Sequence, residues 1–378
     1  MEYRRYGRTG AEVSVLAMGG MRYEKPLEIE RMAEIPLYLY DHGVTYFDTA
    51  PGYCDDKSEI ILGTAVKEMK KRRGRRFLIS TKTFAATEVE IRKQVEQSLK
   101  RLNVEAIDFY HVWCLKSWAE WEERQKAGVA LAFRKLKDEG LVRHITTSVH
   151  MDAADLARLA GEGFFEGVTL GFSAANFQYR EAGVQAAGAA KLGVIVMNPL
   201  GGGVYWQAPD KFAFLKSKPG DDFVRGGMRF VLSFPEVTAA LVGVRSMADA
   251  EQAVAAAESL KLYSPKEFET AKTQARQGLA DLCTGCNYCK ECPEELPIAR
   301  LMDVYNQIVL GHPEYVWGMA KYAWGLGDLD KLVACCIDCG KCEDACTQHL
   351  PIRERMKALV PLWAKAEAEF QAKEKEKK

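Results

Sequence analysis

Between residues 13 and 260, eight short runs of β-branched and apolar residues alternate with amphipathic stretches, which leaves the chain few folds to choose from. The runs are 13–18, 44–50, 77–82, 107–113, 143–149, 167–172, 194–198 and 239–244. Helical patterns fall at 29–41, 58–70, 88–102, 130–139, 153–160, 180–191, 223–233 and 248–259. Strands alternating with helices specify parallel pairing through right-handed crossovers. Eight such units match a closed α/β barrel of (β/α)8, or TIM, type. An open doubly wound sheet is the rival, yet no G-x-G-x-x-G follows the first run.

The 378 residues exceed one small core and suit a large domain followed by a small one. Lysine plus arginine equals aspartate plus glutamate at 52 each, so no global field recruits nucleic acid or an anionic membrane. No apolar run approaches the ~18 residues that span a bilayer. The start, Met1-Glu2-Tyr3-Arg4-Arg5, is charged and carries no apolar signal segment, so a reducing, cytoplasmic location is expected. The basic stretch Lys67 to Arg76 ends a predicted helix, where cations suit the dipole; it reads as a solvated helix end or as a dock for an acidic redox partner. The expected divisions are a barrel over 1–262, a polar linker helix over 263–280, a second domain over 281–356 and an exposed charged tail over 357–378. Tyr305, Trp317 and Trp324 read as packing between the two halves of the second domain.

Nine of the eleven cysteines fall in that second domain, eight of them in two tight runs and Cys335 as an extra neighbour. Cys283, Cys286 and Cys289, and again Cys336, Cys339 and Cys342, keep the C-x2-C-x2-C interval with which three thiolates grip an iron-sulfur cube. Cys292 and Cys346 follow as fourth ligands, so the two runs suggest two 4Fe-4S clusters. Cys292-Pro-Glu-Glu-Leu-Pro-Ile298 and Cys346-Thr-Gln-His-Leu-Pro-Ile352 share C-x3-L-P-I, the mark of a duplicated half-domain. Zinc is the alternative, although four ligands saturate a zinc and leave thiols over. Disulfides suit a reducing compartment poorly. The spacing resembles that of bacterial ferredoxins, in which the fourth cysteine crosses to the other cluster. That resemblance implies a small, mostly helical ferredoxin-like domain with Cys283, Cys286, Cys289 and Cys346 on one cluster and Cys336, Cys339, Cys342 and Cys292 on the other.

In a closed barrel the reactive side chains sit at the C-terminal ends of the strands. There the second run delivers Asp48 and, in the loop beyond, Tyr53; the third ends on Lys82 and the fourth contains His111. A phenol titrates near pH 10, so Tyr53 needs a neighbouring ammonium to exchange protons at neutral pH. Lys82 can supply it while Asp48 keeps Lys82 charged. Such a set suits protonation of a carbonyl oxygen as hydride reaches the carbon. Taken singly, Asp48 also reads as a loop cap and Lys82 as a strand-end lysine reaching for solvent.

Phe47-Asp-Thr-Ala-Pro-Gly-Tyr53, Ser58-Glu-Ile-Ile-Leu-Gly63, Ile79-Ser-Thr-Lys82 and Ile107-Asp-Phe-Tyr-His111 resemble the aldo-keto reductase family, and Tyr3 to Gly10 resembles its opening hairpin. With the cysteine-rich domain, the chain is similar to the iron-sulfur-bearing branch of that family. The resemblance implies a catalytic tetrad of Asp48, Tyr53, Lys82 and a fourth-strand histidine, a small carbonyl or alcohol substrate and a reduced nicotinamide cofactor, usually NADPH. It places cofactor contacts at Ser148, Asn198, Gly243, Arg245 and Ser246, with Arg245 and Ser246 at the phosphate end unless Arg245 pairs with a local carboxylate.

The chain departs from the family pattern in several places. Trp113 stands five residues after Asp108, where the family histidine usually comes. His111 lies two residues earlier, on the same strand face and ~6–7 Å deeper, so it either substitutes or is a buried structural histidine. Val149, Phe172 and Met197 stand where asparagine, glutamine and a stacking tyrosine are common. The glycines 201–203 suit a loop that approaches a ligand closely, and Trp113, Trp118, Trp121 and Trp206 suggest an aromatic mouth or, equally well, core packing. The leading expectation is an oxidoreductase using Tyr53, coupled through its clusters to a ferredoxin-like redox partner. The alternative is a barrel that transfers electrons or binds a ligand without nicotinamide. Hydride carries two electrons and each cluster one, and the sequence names no flavin to join them.

Overall fold

The computed structural model of the chain describes residues 1–72, 76–283, 288–311, 320, 326–346 and 349–376. Its strands are β1 Tyr3–Arg5, β2 Glu12–Ser14, β3 Leu16–Gly19, β4 Tyr46–Asp48, β5 Leu78–Thr83, β6 Ile107–Leu115, β7 Val142–Val149, β8 Gly167–Gly171, β9 Gly193–Met197 and β10 Ala239–Gly243. Strands β3 to β10 pair in parallel in chain order and β10 closes onto β3, giving an eight-stranded barrel. The expected run 13–18 is split. Its first part pairs antiparallel with β1 as a hairpin, and the chain then turns where Ser14 and Thr45 each accept the other's backbone N–H at 2.9 Å.

The hairpin hands Tyr6 to the N-terminal end of the barrel. Its ring is wholly buried against Tyr46 and Phe109. Gly167 and Gly193 open β8 and β9, and a Cβ on either would come within 2.1 Å of the ring, so only glycine leaves room for this plug. Gly63 does similar work outside the barrel. A Cβ there would lie 1.9 Å from the Arg101 carbonyl oxygen, so its absence lets the helix Ser58–Met69 pack on Glu88–Leu102.

Two local features differ from expectation. A helix Trp118–Lys126 follows β6, started by Ser117 accepting the Glu120 N–H; Ser117 three residues before a glutamate was the available signal. The expected helix 180–191 begins earlier, at Phe177. Trp121 is buried on this side layer, where its indole N–H meets Glu162, and Trp118 lies under Arg158, so neither lines the mouth.

The helix Pro265–Gly278 fills the expected linker, with Pro265 in its first turn and a reciprocal cap between Ser264 and Glu267. Beyond it the helices Ile298–Val309, Leu329–Ala334, Lys341–Asp344 and Ile352–Glu376 bring residues to a separate apolar core. The C-x3-L-P-I repeat is also a repeat of backbone. Glu295 and His349 both take left-handed φ, 52° and 50°, and their N–H groups donate to Cys292 and Cys346 carbonyls at 3.0 Å. The Ile298 and Ile352 N–H groups reach the Leu296 and Leu350 carbonyls at 2.8 Å, and a helix begins at each isoleucine.

The last helix runs straight through the boundary expected at 356. Ile352, Met356, Leu359, Trp363 and Ala366 recur at helical spacing and are buried, so this segment forms core instead of an exposed tail. Tyr305 packs against the same core, whereas Trp317 and Trp324, like Arg73, Gly74 and Arg75 of the basic stretch, lie outside the described residues. Among the described residues no helix is long and apolar enough to cross a membrane.

Gly193→Ala is expected to destabilise the barrel by about 1–3 kcal/mol, the cost of overpacking. Denaturant unfolding should show this loss shrinking when Tyr6→Leu is combined with it, whereas strict additivity would mean that the ring is not what Gly193 accommodates.

Candidate active site at the barrel mouth

Asp48 ends β4 and Lys82 stands on the neighbouring β5, both pointing into the mouth and both buried. Lys82 Nζ donates to Asp48 Oδ1 at 2.8 Å, to Oδ2 at 2.7 Å and to the Thr49 carbonyl at 2.8 Å, so all three ammonium protons have acceptors. Ser80 lies two residues before Lys82 on the same strand face and donates from Oγ to Asp48 Oδ1 at 2.7 Å. With its single proton committed there, Ser80 accepts from His111 Nε2 at 2.8 Å. His111 is wholly buried. Burial, then the Lys82 charge, pulls its pKa down to about 3, so the ring is neutral. Among the described residues His111 reaches Ser80 and not Tyr53, so it belongs to the support beneath Asp48.

The loop carrying Tyr53 is held by the motif that follows it. Cys54, Asp55 and Asp56 all have positive φ, and Arg101 grips both Asp56 oxygens. Ser58 Oγ donates to the Gly20 carbonyl at 2.7 Å and lies 2.7 Å from Thr49 Oγ1, while buried Glu59 accepts from Thr81 Oγ1 at 2.8 Å and from Arg101 at 3.3 Å. The result sets the Tyr53 ring with its centroid 5.3 Å from Lys82 Nζ. Trp113 meets Tyr53 edge-on at 5.6 Å and stacks on Phe84 at 4.0 Å. A bulge in β6, where Cys114 has φ 61°, falls just beyond Trp113.

One electrostatic expectation is corrected. Lys82 is committed to Asp48, and Tyr53 is held well above the usual phenol range, first by burial and then by the Asp48 charge. Tyr53 is therefore a protonated phenol at neutral pH.

The candidate cofactor residues are less convergent. Ser148 Oγ accepts the Cys114 N–H at 2.9 Å within the bulge. Asn198, at φ 55°, lines a cavity of about 50 Å³ with Ser173, Gly201 and Gly202. At Gly243 a Cβ would come within 2.9 Å of the Arg22 side chain, which thus covers the end of β10. Arg245 Nε donates to Asp249 Oδ2 at 2.8 Å, the local pairing left open by the sequence, yet the side chain stays 69% exposed. Ser246 Oγ accepts the Asp249 N–H and caps the helix Met247–Glu258. Phe172 is buried against Phe234 in the outer core, and Trp206 is half exposed. Sequence reasoning missed Ser80, Glu59 and Arg101; the alternation on β5 and the Ser58-Glu59 motif were the signals for the first two.

Cys292, Cys336, Cys339 and Cys342 line a single small cavity. Cys283, Cys289 and Cys346 are partly buried against the second core, and Cys286 lies outside the described residues. Asn306 anchors the first run: its Oδ1 accepts the Cys283 N–H at 3.0 Å and its Nδ2 donates to the Cys283 carbonyl at 2.9 Å. Among the described residues no disulfide joins the cysteines, and no group of three or more His, Cys, Asp or Glu is arranged to hold one metal ion.

Residues 15–273 match the sequence profile of the Aldo/keto reductase family. Aldo-keto reductase YhdN of Bacillus subtilis is 34% identical over 163 residues, 39% of this chain and 47% of that protein. A protein of Glycine max named probable aldo-keto reductase 1 is 30% identical over 154 residues, 38% of this chain and 43% of that one. These matches span less than half the length of either relative. L-galactose dehydrogenase of Arabidopsis thaliana matches more broadly, 25% identical over 73% of this chain and 94% of its own. Among solved structures, the holo form of aldo-keto reductase AKR11C1 from Bacillus halodurans superposes with a TM-score of 0.61 at 19% identity, covering 72% of this chain and 96% of that one, a likeness of fold. With the profile matched across well over half of its residues and the barrel closed, the chain belongs to the aldo/keto reductase family of oxidoreductases.

Proposed function

We propose that the protein interconverts a small carbonyl compound and its alcohol, with Tyr53 as proton donor and acceptor, and that residues 281–356, extended by the last helix, carry two 4Fe-4S clusters. The observation that carries the first part is the Lys82 ammonium, pinned by Asp48 and lying 5.3 Å from the Tyr53 ring centroid. A carbonyl oxygen at the mouth accepts a hydrogen bond from the Tyr53 phenol. As negative charge grows on that oxygen the proton moves across, and the Lys82 field stabilises the phenolate left behind. Holding Tyr53 protonated suits the reducing direction. His111 acts as a positioning residue through Ser80 and Asp48, and Trp113 and Phe84 wall water from one side of the phenol.

A bound reduced nicotinamide, NADPH, supplies hydride to the carbonyl carbon. Gly243, Arg245 and Ser246 suit its phosphate end, since a helix begins there and the guanidinium remains exposed. Ser148 and Asn198 remain for the amide, while Phe172 and Met197 bring neither an amide nor an aromatic stack. The reading without nicotinamide draws its support from these two residues and from the Asp249 carboxylate already on Arg245.

For the clusters, the support is that Cys292 joins Cys336, Cys339 and Cys342 around one cavity, the crossed set expected from ferredoxins. A zinc with Zn–S near ~2.3 Å needs its sulfurs drawn together, whereas a cube takes one thiolate at each of four corners. Cys283, Cys286, Cys289 and Cys346 form the second set. When loaded, the clusters supply single electrons, and a ferredoxin-like protein in the cytoplasm is the proposed partner.

Anaerobically purified protein is expected to contain about eight irons and about eight sulfides per chain. Cys292→Ser should lose about half of both, and stoichiometric zinc in place of iron would refute the assignment. Tyr53→Phe should lower kcat for carbonyl reduction by about 10²- to 10⁴-fold with unchanged iron content. Because the raised phenol pKa keeps the proton on Tyr53, kcat for reduction should hold level with rising pH up to about 10, where a free phenol titrates. A decline centred near neutrality would point to another donor. No binding of NADPH in a fluorescence titration, with clusters still reducible by dithionite, would favour the reading without nicotinamide.

A further inference from the structure

The two halves of the cysteine domain share their backbone turns but differ in what sits on the helix that follows. In the second half Glu343, the residue after the third cysteine, turns onto the first turn of Ile352–Glu376. Its Oε1 accepts the Arg353 N–H at 2.8 Å, and its Oε2 takes the Arg353 guanidinium at 2.7 and 2.9 Å. A helix start exposes N–H groups without intrahelical acceptors and favours negative charge, which this carboxylate provides.

In the first half the matching N–H belongs to Ala299, seven residues past Cys292 as Arg353 is past Cys346. Among the described residues nothing accepts it, and no side chain caps Ile298–Val309. The residue after the third cysteine is here Lys290, a cation in the glutamate's place. Instead of a carboxylate there is a cavity of about 310 Å³ between barrel and cysteine domain, lined by this first helical turn and by Lys290, Arg300, Asp303 and the barrel's Arg180. Arg300 also donates to the His150 carbonyl just beyond β7, fixing one domain against the other. Among the described residues Asp303 Oδ1 is shut off from solvent and accepts no hydrogen bond. Of the other acids at the cavity, Asp152 caps the helix Ala153–Gly161 and Glu295 faces solvent.

We propose that this cavity binds a small organic carboxylate that also bears a hydroxyl or amine. The carboxylate takes at Ala299, among Lys290, Arg180 and Arg300, the place that Glu343 fills at Arg353, and the hydroxyl or amine donates to Asp303. The volume lies at the lower end for ligand sites, in keeping with a small molecule. The site is separate from Asp48, Tyr53 and Lys82. It shares Arg180 and Asp303 with the small cavity beside Asn198, so an occupant ties the cysteine domain to the loops of the barrel mouth.

The test is calorimetric titration and thermal unfolding of the full-length protein as purified, with glycerate, acetate and inorganic phosphate as probes. Glycerate should bind saturably and raise the unfolding temperature, with acetate weaker by roughly tenfold for the lost bond to a charged group. Lys290→Glu installs the carboxylate of the second half; it should weaken glycerate by about tenfold or more and raise the unfolding temperature without ligand. Arg300→Gln should show the same loss of affinity if that variant folds poorly, and Glu343→Gln should leave glycerate binding unchanged. Absence of saturable glycerate binding, equal affinity in Lys290→Glu and Arg300→Gln, or preference for phosphate over both carboxylates would overturn the proposal.

Discussion

The ion pair between Asp48 and Lys82 is the interaction on which the mouth of this barrel depends. Both groups are buried, and taking two charges out of water is costly unless geometry and further hydrogen bonds offset it. Here they do: the ammonium has three acceptors and the carboxylate gains a third donor from Ser80. Removing one partner would strand the other, a loss of roughly 3–5 kcal/mol in comparable pairs. Such a pair is weak evidence for stability as such. Its position puts the ammonium 5.3 Å from the Tyr53 ring centroid.

The same pair explains why the neighbouring residues are what they are. Burial and then the Asp48 charge raise the pKa of Tyr53, and Asp48 through Ser80 meets a neutral His111, while Trp113 stands edge-on to the Tyr53 ring. The ring of Trp113 faces Tyr53 where an imidazole would offer a hydrogen bond. The barrel thus sets an aromatic wall of Trp113 and Phe84 beside the Tyr53 phenol.

Much of this was legible in the sequence because it follows from period and spacing. Alternating runs gave eight strands, and Asp48, Tyr53 and Lys82 could be placed at strand ends before any contact was seen. What escaped was set by contacts distant in sequence. The split of 13–18 depends on Ser14 meeting Thr45, and the commitment of Arg245 depends on how the helix after β10 begins. The helical spacing from Ile352 to Ala366 was readable, but the charged residues around it made a core helix look like a solvated tail. The duplicated C-x3-L-P-I was visible as sequence; that its halves differ at Lys290 and Glu343 acquired meaning only beside the matched turns.

The most direct test is to follow the ionisation of Tyr53 itself, by NMR of protein carrying carbon-13 at the tyrosine ζ position, with the signal assigned by Tyr53→Phe. The phenol should persist to a pH above that of free tyrosine, and in folded Lys82→Met, which removes the stabilising ammonium, its midpoint should shift. A Tyr53 midpoint below about 10 that is indifferent to Lys82→Met would contradict the account.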